Sequence, residues 1–192
     1  AVDQDAGAVE VYAANHRPEL TSSESVKTHV DYRVRGTGDG ARFRYQPQMV
    51  GEEWNDLVGR TDVVLAGPPC QGHSNLNNRT RRSDPRNELY LAVPAAAIAL
   101  GAPVVIIENV PSVVHDKLGV VATSIALLRD AGYHLTEGVL HADRLGWSQR
   151  RSRYFLVARR DREPIPLQTV SHALANEERP ITWALQNLSP SS

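Results

Sequence analysis

The sequence predicts an α/β domain with a doubly wound, mostly parallel sheet, and three observations carry that expectation. Two short apolar runs, Asp62 to Ala66 (DVVLA) and Val104 to Glu108 (VVIIE), read as strands buried on both faces, as a parallel sheet covered by helices requires. Segments of helical periodicity separate the runs. Each run ends in a polar loop that leads into the next helix, which is the alternation of βα units.

Taken in order, Ala1-Val2-Asp3 reads as the last residues of a strand, and Asp5 to Asn15 as the helix that follows. Between Thr28 and Gln46, the alternating THVDYRV and RFRYQ flank the turn-forming GTGDG and predict a hairpin. A helix is expected over about Asn87 to Leu100, with Pro94 kinking it or marking its start because proline lacks an N–H. Another spans about Leu118 to Ala131 and is ended by Gly132. Tyr133 to Leu140 and Ser152 to Ala158 read as two further strands near the sheet edge. Residues 1–162 thus read as one partial domain, lacking the first strand and glycine-rich turn usual before Asp3. Residues 163–192, with four prolines and a short helix over Ile181 to Leu188, read as a linker toward a further domain.

Composition bounds the function. At 192 residues, 41% hydrophobic and 22% charged, the chain has the balance of one folded domain. The longest apolar run, Val93 to Ile107, is interrupted by Pro94, Gly101 and Pro103, too broken for a membrane-spanning helix. The single cysteine excludes an internal disulfide and favours a reducing, cytoplasmic compartment. The seven histidines lack metal-ligand spacing, so no metal is expected. Net charge is -1, yet Arg79, Arg81 and Arg82 form one basic cluster and Arg150, Arg151 and Arg153 another. Such clusters either bind phosphate or are solvated loop faces.

In open α/β sheets, ligands bind beyond the carboxyl ends of the strands. That rule selects Gly67-Pro68-Pro69-Cys70-Gln71 after one strand, Glu108-Asn109-Val110 after another, and Asp3 after the opening stub. Two prolines before Cys70 restrict its backbone, which suits a preorganised nucleophile better than inert packing. Arg151 and Arg153 share one face of their strand, with Tyr154, Leu156 and Ala158 on the opposite face. This is either a solvated face or two guanidinium groups reaching into one pocket. The loop His73 to Arg86 is polar, basic and too long for a plain turn, as functional loops are.

Pro69-Cys70-Gln71, Glu108-Asn109-Val110 and Gln149-Arg150-Arg151-Ser152-Arg153 resemble the Pro-Cys, Glu-Asn-Val and Gln-x-Arg-x-Arg motifs of DNA (cytosine-5) methyltransferases, in the family's order. From Cys70 to Glu108 to Gln149 the spacings are 38 and 41 residues. The resemblance runs from Ala1 to about Arg160, and more faintly over Pro180 to Pro190, where ITWALQNLSP looks like the helix entering the family's target-recognition domain. It implies a Rossmann-like methyltransferase fold, S-adenosylmethionine as methyl donor, and double-stranded DNA as substrate. Cys70 would add as a thiolate to carbon 6 of a flipped-out cytosine, turning carbon 5 into a nucleophile. Glu108 would hydrogen-bond or protonate ring nitrogen 3, while Arg151 and Arg153 would hold the cytosine oxygen and favour the thiolate.

For the cofactor, the resemblance implies Asp3 at the ribose hydroxyls, with Gln4, Pro69 and Leu89 as neighbouring contacts. Asp31 and Tyr32 either hold the adenine or are ordinary residues of the hairpin. Gln71, Ser74, Arg79, Arg81, Arg82 and Gln149 are the expected DNA contacts, the loop among them closing over the duplex. With the glycine-rich turn and recognition domain outside this sequence, weak cofactor binding and weak activity are expected of the chain alone. A complementary chain supplying the missing parts is one arrangement; a transfer-RNA methyltransferase and an inactive binding subunit are the alternative readings.

Overall fold

A computed structural model of the chain describes residues 1–69 and 89–186. Its centre is a four-stranded sheet of β5 (Val63–Ala66), β6 (Val104–Asn109), β7 (His134–His141) and β8 (Ser152–Arg159), in the order β5-β6-β8-β7. The α/β class holds, but the sheet is mixed. β5 and β6 are parallel, whereas β6 with β8 and β8 with β7 are antiparallel. The last two strands are joined by residues 142–151, too short a stretch for a parallel crossover, and β8 folds back antiparallel between β6 and β7. β8 is therefore an interior strand rather than an edge.

One face of this sheet carries Val105, Ile107 and Asn109 from β6 beside Ala158, Leu156 and Tyr154 from β8, all buried and paired across the ladder. Helices α3 (Leu89–Leu100) and α4 (Val120–Asp130) cover it, with Tyr90, Val93, Ala97, Ile98, Val120, Val121 and Leu128 completing the core. Pro94 lies inside α3, one turn from its start, and is fully buried. The other face carries Ile106, Glu108, Arg153, Phe155 and Val157 and is only half-buried.

The hairpin forms in two steps. β1 (Val30–Asp31) pairs with β4 (Gln48–Met49), and β2 (Val34–Arg35) with β3 (Arg42–Phe43), both antiparallel. Between the ladders Tyr32 and Arg33 face Arg44 to Pro47, so the returning strand bulges where Pro47 can donate no hydrogen bond. Helix α1 (Ala6–His16) is capped by Asp5, whose side chain accepts from the Ala8 N–H at 3.1 Å, yet it buries no residue. α2 (Glu52–Asn55) is a single turn that brings Trp54 against His29, their ring centroids 4.5 Å apart.

The segment expected to be a linker is docked. Leu167, at the start of α5 (Leu167–Ala173), is buried, and a Cβ placed on Gly138 of β7 would meet its side chain at 3.5 Å. Asn176 then bridges Leu145 in the turn between β7 and β8. The final helix α6 spans Ile181–Leu185, and the rest of the helix expected to reach Leu188 lies largely outside the described residues. Among the described residues no helix is long and apolar enough to cross a membrane.

Candidate active site

The sheet register explains how Glu108 and Arg153 meet. Glu108 pairs across the ladder with Phe155, and Arg153, two residues earlier on β8, is its diagonal neighbour on the same face. Arg153 Nε lies 2.8 Å from Glu108 Oε1, and Arg151 Nη2 lies 3.9 Å from the same oxygen. The Arg153 side chain keeps a quarter of its exposure and Glu108 a third, so the pair is half-shielded and one side faces solvent. A carboxylate gripped by a guanidinium at the mouth of a sheet can bind a planar heterocycle that offers both a donor and an acceptor edge.

The turn after β5 sits beside this pair. Ala66 is level with Ile107, so Gly67 falls next to Glu108, and a Cβ on Gly67 would lie 3.7 Å from Glu108 Oε2. Asn109 is buried, and its Nδ2 donates to the Pro68 carbonyl at 3.1 Å while its Oδ1 accepts from the Val110 N–H at 2.8 Å. One side chain thus locks the Gly67–Pro69 turn to the end of β6. The reading of the sequence assigned Asn109 no role of its own; a polar residue beside a predicted strand end was the available signal.

On the other side of the turn lies a cleft of about 580 Å³. Asp3, Gln4, Pro69 and Leu89 line it, together with Val2, His29, Val30, Met49, Trp54, Val64 and Leu65. Asp3 also accepts the Asp5 N–H at 2.9 Å. Asp31 and Tyr32 do not border this cleft. Asp31 is exposed and accepts a hydrogen bond from the Tyr45 hydroxyl at 2.8 Å, and Tyr32 packs edge-on against Phe43, 6.2 Å between centroids. Strand alternation turns the Asp31 side chain away from the side that its neighbour Val30 presents to the cleft. His29, Met49 and Trp54 went unnoticed in the sequence because they converge only through the β1–β4 pairing and the α2 turn.

Gln149 is exposed in the turn preceding Arg151. Cys70, Gln71, Ser74, Arg79, Arg81 and Arg82 lie outside the described residues. Among the described residues no three histidine, cysteine, aspartate or glutamate side chains are grouped to hold a metal ion.

The cleft has the size and lining of a small-molecule site. It is within the range of about 300–1,000 Å³ typical of small-molecule sites. Apolar walls from Val30, Met49, Trp54 and Val64 accompany a carboxylate at one end, Asp3, able to accept from hydroxyl groups.

Comparison with known proteins agrees with this geometry. The profile of the C-5 cytosine-specific DNA methylase family matches residues 1–191. The chain is 38% identical over 189 residues to the type II methyltransferase M1.BsuMI of Bacillus subtilis (strain 168), covering 98% of this chain and 42% of that protein. It is 30% identical over 171 residues to the type II methyltransferase M.AgeI of Thalassovita gelatinovora, covering 88% of this chain and 36% of the relative. The chain thus spans less than half the length of these relatives. Its fold matches a putative DNA modification methyltransferase encoded within a prophage of E. coli, with a TM-score of 0.66 at 20% identity, over all of this chain and 48% of the other. The S. pombe Dnmt2 methyltransferase gives a TM-score of 0.61 at 19% identity, over all of this chain and 52% of that one. On the family profile and the identity to M1.BsuMI, this chain belongs to the C-5 cytosine-specific DNA methylase family.

Proposed function

We propose that the chain carries the catalytic centre that transfers a methyl group from S-adenosylmethionine to carbon 5 of a flipped-out cytosine in DNA, through a covalent adduct on Cys70. The observation that carries this reading is the Glu108–Arg153 pair at 2.8 Å, set against the Gly67–Pro69 turn that Cys70 directly follows in the chain.

The roles follow from chemistry. Carbon 5 of cytosine is a weak nucleophile. The Cys70 thiolate adds to carbon 6, and the electron pair displaced through the ring makes carbon 5 enamine-like. Glu108, carrying its acid proton, donates it to ring nitrogen 3 and so offsets the negative charge that the addition places on the ring. Arg153, and Arg151 behind it, steady the Glu108 carboxyl and present guanidinium donors to the cytosine oxygen. S-adenosylmethionine, when bound, supplies an electrophilic methyl group. Asp3 would accept from its ribose hydroxyls, and Trp54, Met49 and Val30 would wall its apolar parts. Loss of the carbon-5 proton and expulsion of Cys70 then restore the aromatic ring. Gln71, Ser74, Arg79, Arg81, Arg82 and Gln149 supply contacts to the duplex, with the arginines on its phosphates.

The test uses a library of duplex fragments in which every cytosine is 5-fluorocytosine, so the target sequence need not be known. Fluorine at carbon 5 cannot leave as a proton does, so each turnover ends as a stable protein–DNA adduct, and even a slow enzyme accumulates it. With S-adenosylmethionine in excess, the protein should form an adduct that survives denaturing electrophoresis and depends on the cofactor. Cys70→Ser should abolish it while the melting temperature stays unchanged. An adduct persisting in Cys70→Ser would remove Cys70 from the mechanism; an adduct on RNA but not on DNA would reassign the substrate.

A further inference from the structure

We propose that Trp147 is a substrate contact: its indole stacks on a DNA base within a few steps of the target cytosine, on a rim that continues through Arg150 to Arg179 and Trp183. This rests on the reading above of a DNA-modifying centre at Glu108 and Arg153.

Trp147 stands in the turn between β7 and β8, at the end of the sheet where β6 delivers Glu108. It is 64% exposed, an unusual cost for the largest apolar side chain unless something covers it. Its backbone, by contrast, is held firmly. The Trp147 N–H donates to the Ala142 carbonyl at 3.1 Å, Gly146 donates to Asp143 at 3.1 Å, and Ala142 donates to Arg151 at 2.9 Å. Gly146 has φ +85°, and a Cβ there would lie 2.9 Å from the Asn176 Cβ, so the turn is clamped against the docked C-terminal segment. An aromatic ring presented by a fixed backbone loses little conformational entropy on binding, which is how anchor residues work.

The surroundings specify the ligand. Trp147 is followed by Gln149, Arg150 and Arg151, and Arg150 is exposed. Arg150 Nε reaches Glu178 Oε1 at 3.3 Å, and the next residue, Arg179, lays its guanidinium 4.2 Å from the centroid of the Trp183 ring. Aromatic faces interleaved with arginines at an active-site mouth fit a polyanion that offers π-faces, which is nucleic acid. Arg151 stands four positions beyond Trp147, and its guanidinium reaches Glu108 at 3.9 Å. The backbone between them spans at most about 14 Å. With base pairs stacked about 3.4 Å apart, the indole is within reach of bases a few steps from one held at Glu108.

The adduct assay with the 5-fluorocytosine library tests this when the DNA concentration is varied. Trp147→Ala should raise the DNA concentration for half-maximal adduct about tenfold, the scale of one lost base–aromatic stack. The loss should fall on half-saturation more than on the plateau, and Trp147→Tyr should recover most of it. The salt dependence should keep its slope, because no phosphate contact is removed. If wild type forms adduct and Trp147→Ala matches it at every DNA concentration, the stacking proposal fails while the catalytic reading stands. The same holds if Trp147→Ala lowers only the melting temperature, which would give the ring a role in the packing of this chain alone. If wild type forms no adduct, the catalytic reading fails and takes this proposal with it.

Discussion

Asn109 shows how a single amide organises the centre. It is buried, and it ties the turn after β5 to the end of β6 through the Pro68 carbonyl, while its own oxygen caps the Val110 N–H. On the proposed mechanism, that link keeps the Gly67–Pro69 turn, which leads into the nucleophile, beside Glu108. Asn109→Ala should cost about 1 kcal/mol of stability, because a half-buried carbonyl and N–H lose their partners. It should also slow adduct formation at saturating DNA and cofactor, with little change in DNA affinity. Urea unfolding and single-turnover trapping separate the two effects. A variant that loses stability but keeps the full trapping rate would reduce Asn109 to a structural tie. That Arg151 and Arg153 share a face was legible in the sequence, because strand alternation alone puts them there. That Asp31 and Tyr32 lie away from the cleft was not, because the side of the hairpin that faces it depends on a pairing no local pattern reveals.

Among the elements, the sheet and its two covering helices were readable from apolar runs and helical periods, although β5, expected to be buried on both faces, leaves Val63 and Leu65 exposed on one of them. The strands over Val63–Ala66 and Val104–Asn109, the helix over Val120–Asp130 and the end of the helix over Leu89–Leu100 fall within two residues of expectation; the expected start of that last helix lies outside the described residues. The position of β8 between β6 and β7 was not readable, since strand order is a long-range property. That position has a measurable consequence. Tyr154 of β8 is buried between α3 and the sheet and donates to Glu137 of β7. Burial first, and then that hydrogen bond, push its pKa well above the ordinary tyrosine range; burial does the same for Tyr90. A folded-state pKa above the unfolded value means that the stabilisation is complete below about pH 10 and is lost as pH rises beyond it. Each such tyrosine contributes a decline of about 1.4 kcal/mol per pH unit there. Tyr154→Phe should therefore be less stable than wild type at pH 7, by about 1 kcal/mol, with the two curves crossing near about pH 11 and the variant the more stable by about pH 12, because only the wild type carries that tyrosine's decline. Circular dichroism of urea unfolding across this range measures it; parallel curves would contradict the assignment.

For the molecule as a whole, the cleft beside the Gly67–Pro69 turn is a site with one weak wall. Its lining comes from separate stretches of chain, Val2 to Gln4, Glu24 to Val30, Met49, Trp54, Val64 to Pro69 and α3, so a ligand seated there would tie the fold together. Yet β5 is paired on one side only among the described residues, with Val63 at 48% and Leu65 at 73% exposure. Tight small-molecule sites enclose about 70–90% of the ligand surface, and an open strand edge cannot supply that enclosure. The 192-residue chain should therefore bind S-adenosylmethionine with a dissociation constant nearer to about 1 mM than about 1 μM, a difference of roughly 4 kcal/mol. Thermal melting should rise only at millimolar cofactor, since stabilisation follows the ratio of ligand to dissociation constant. Isothermal titration decides it: micromolar affinity would mean that the wall formed by β5 closes on the ligand without further chain, and the exposure of Leu65 would then belong to the ligand-free state alone.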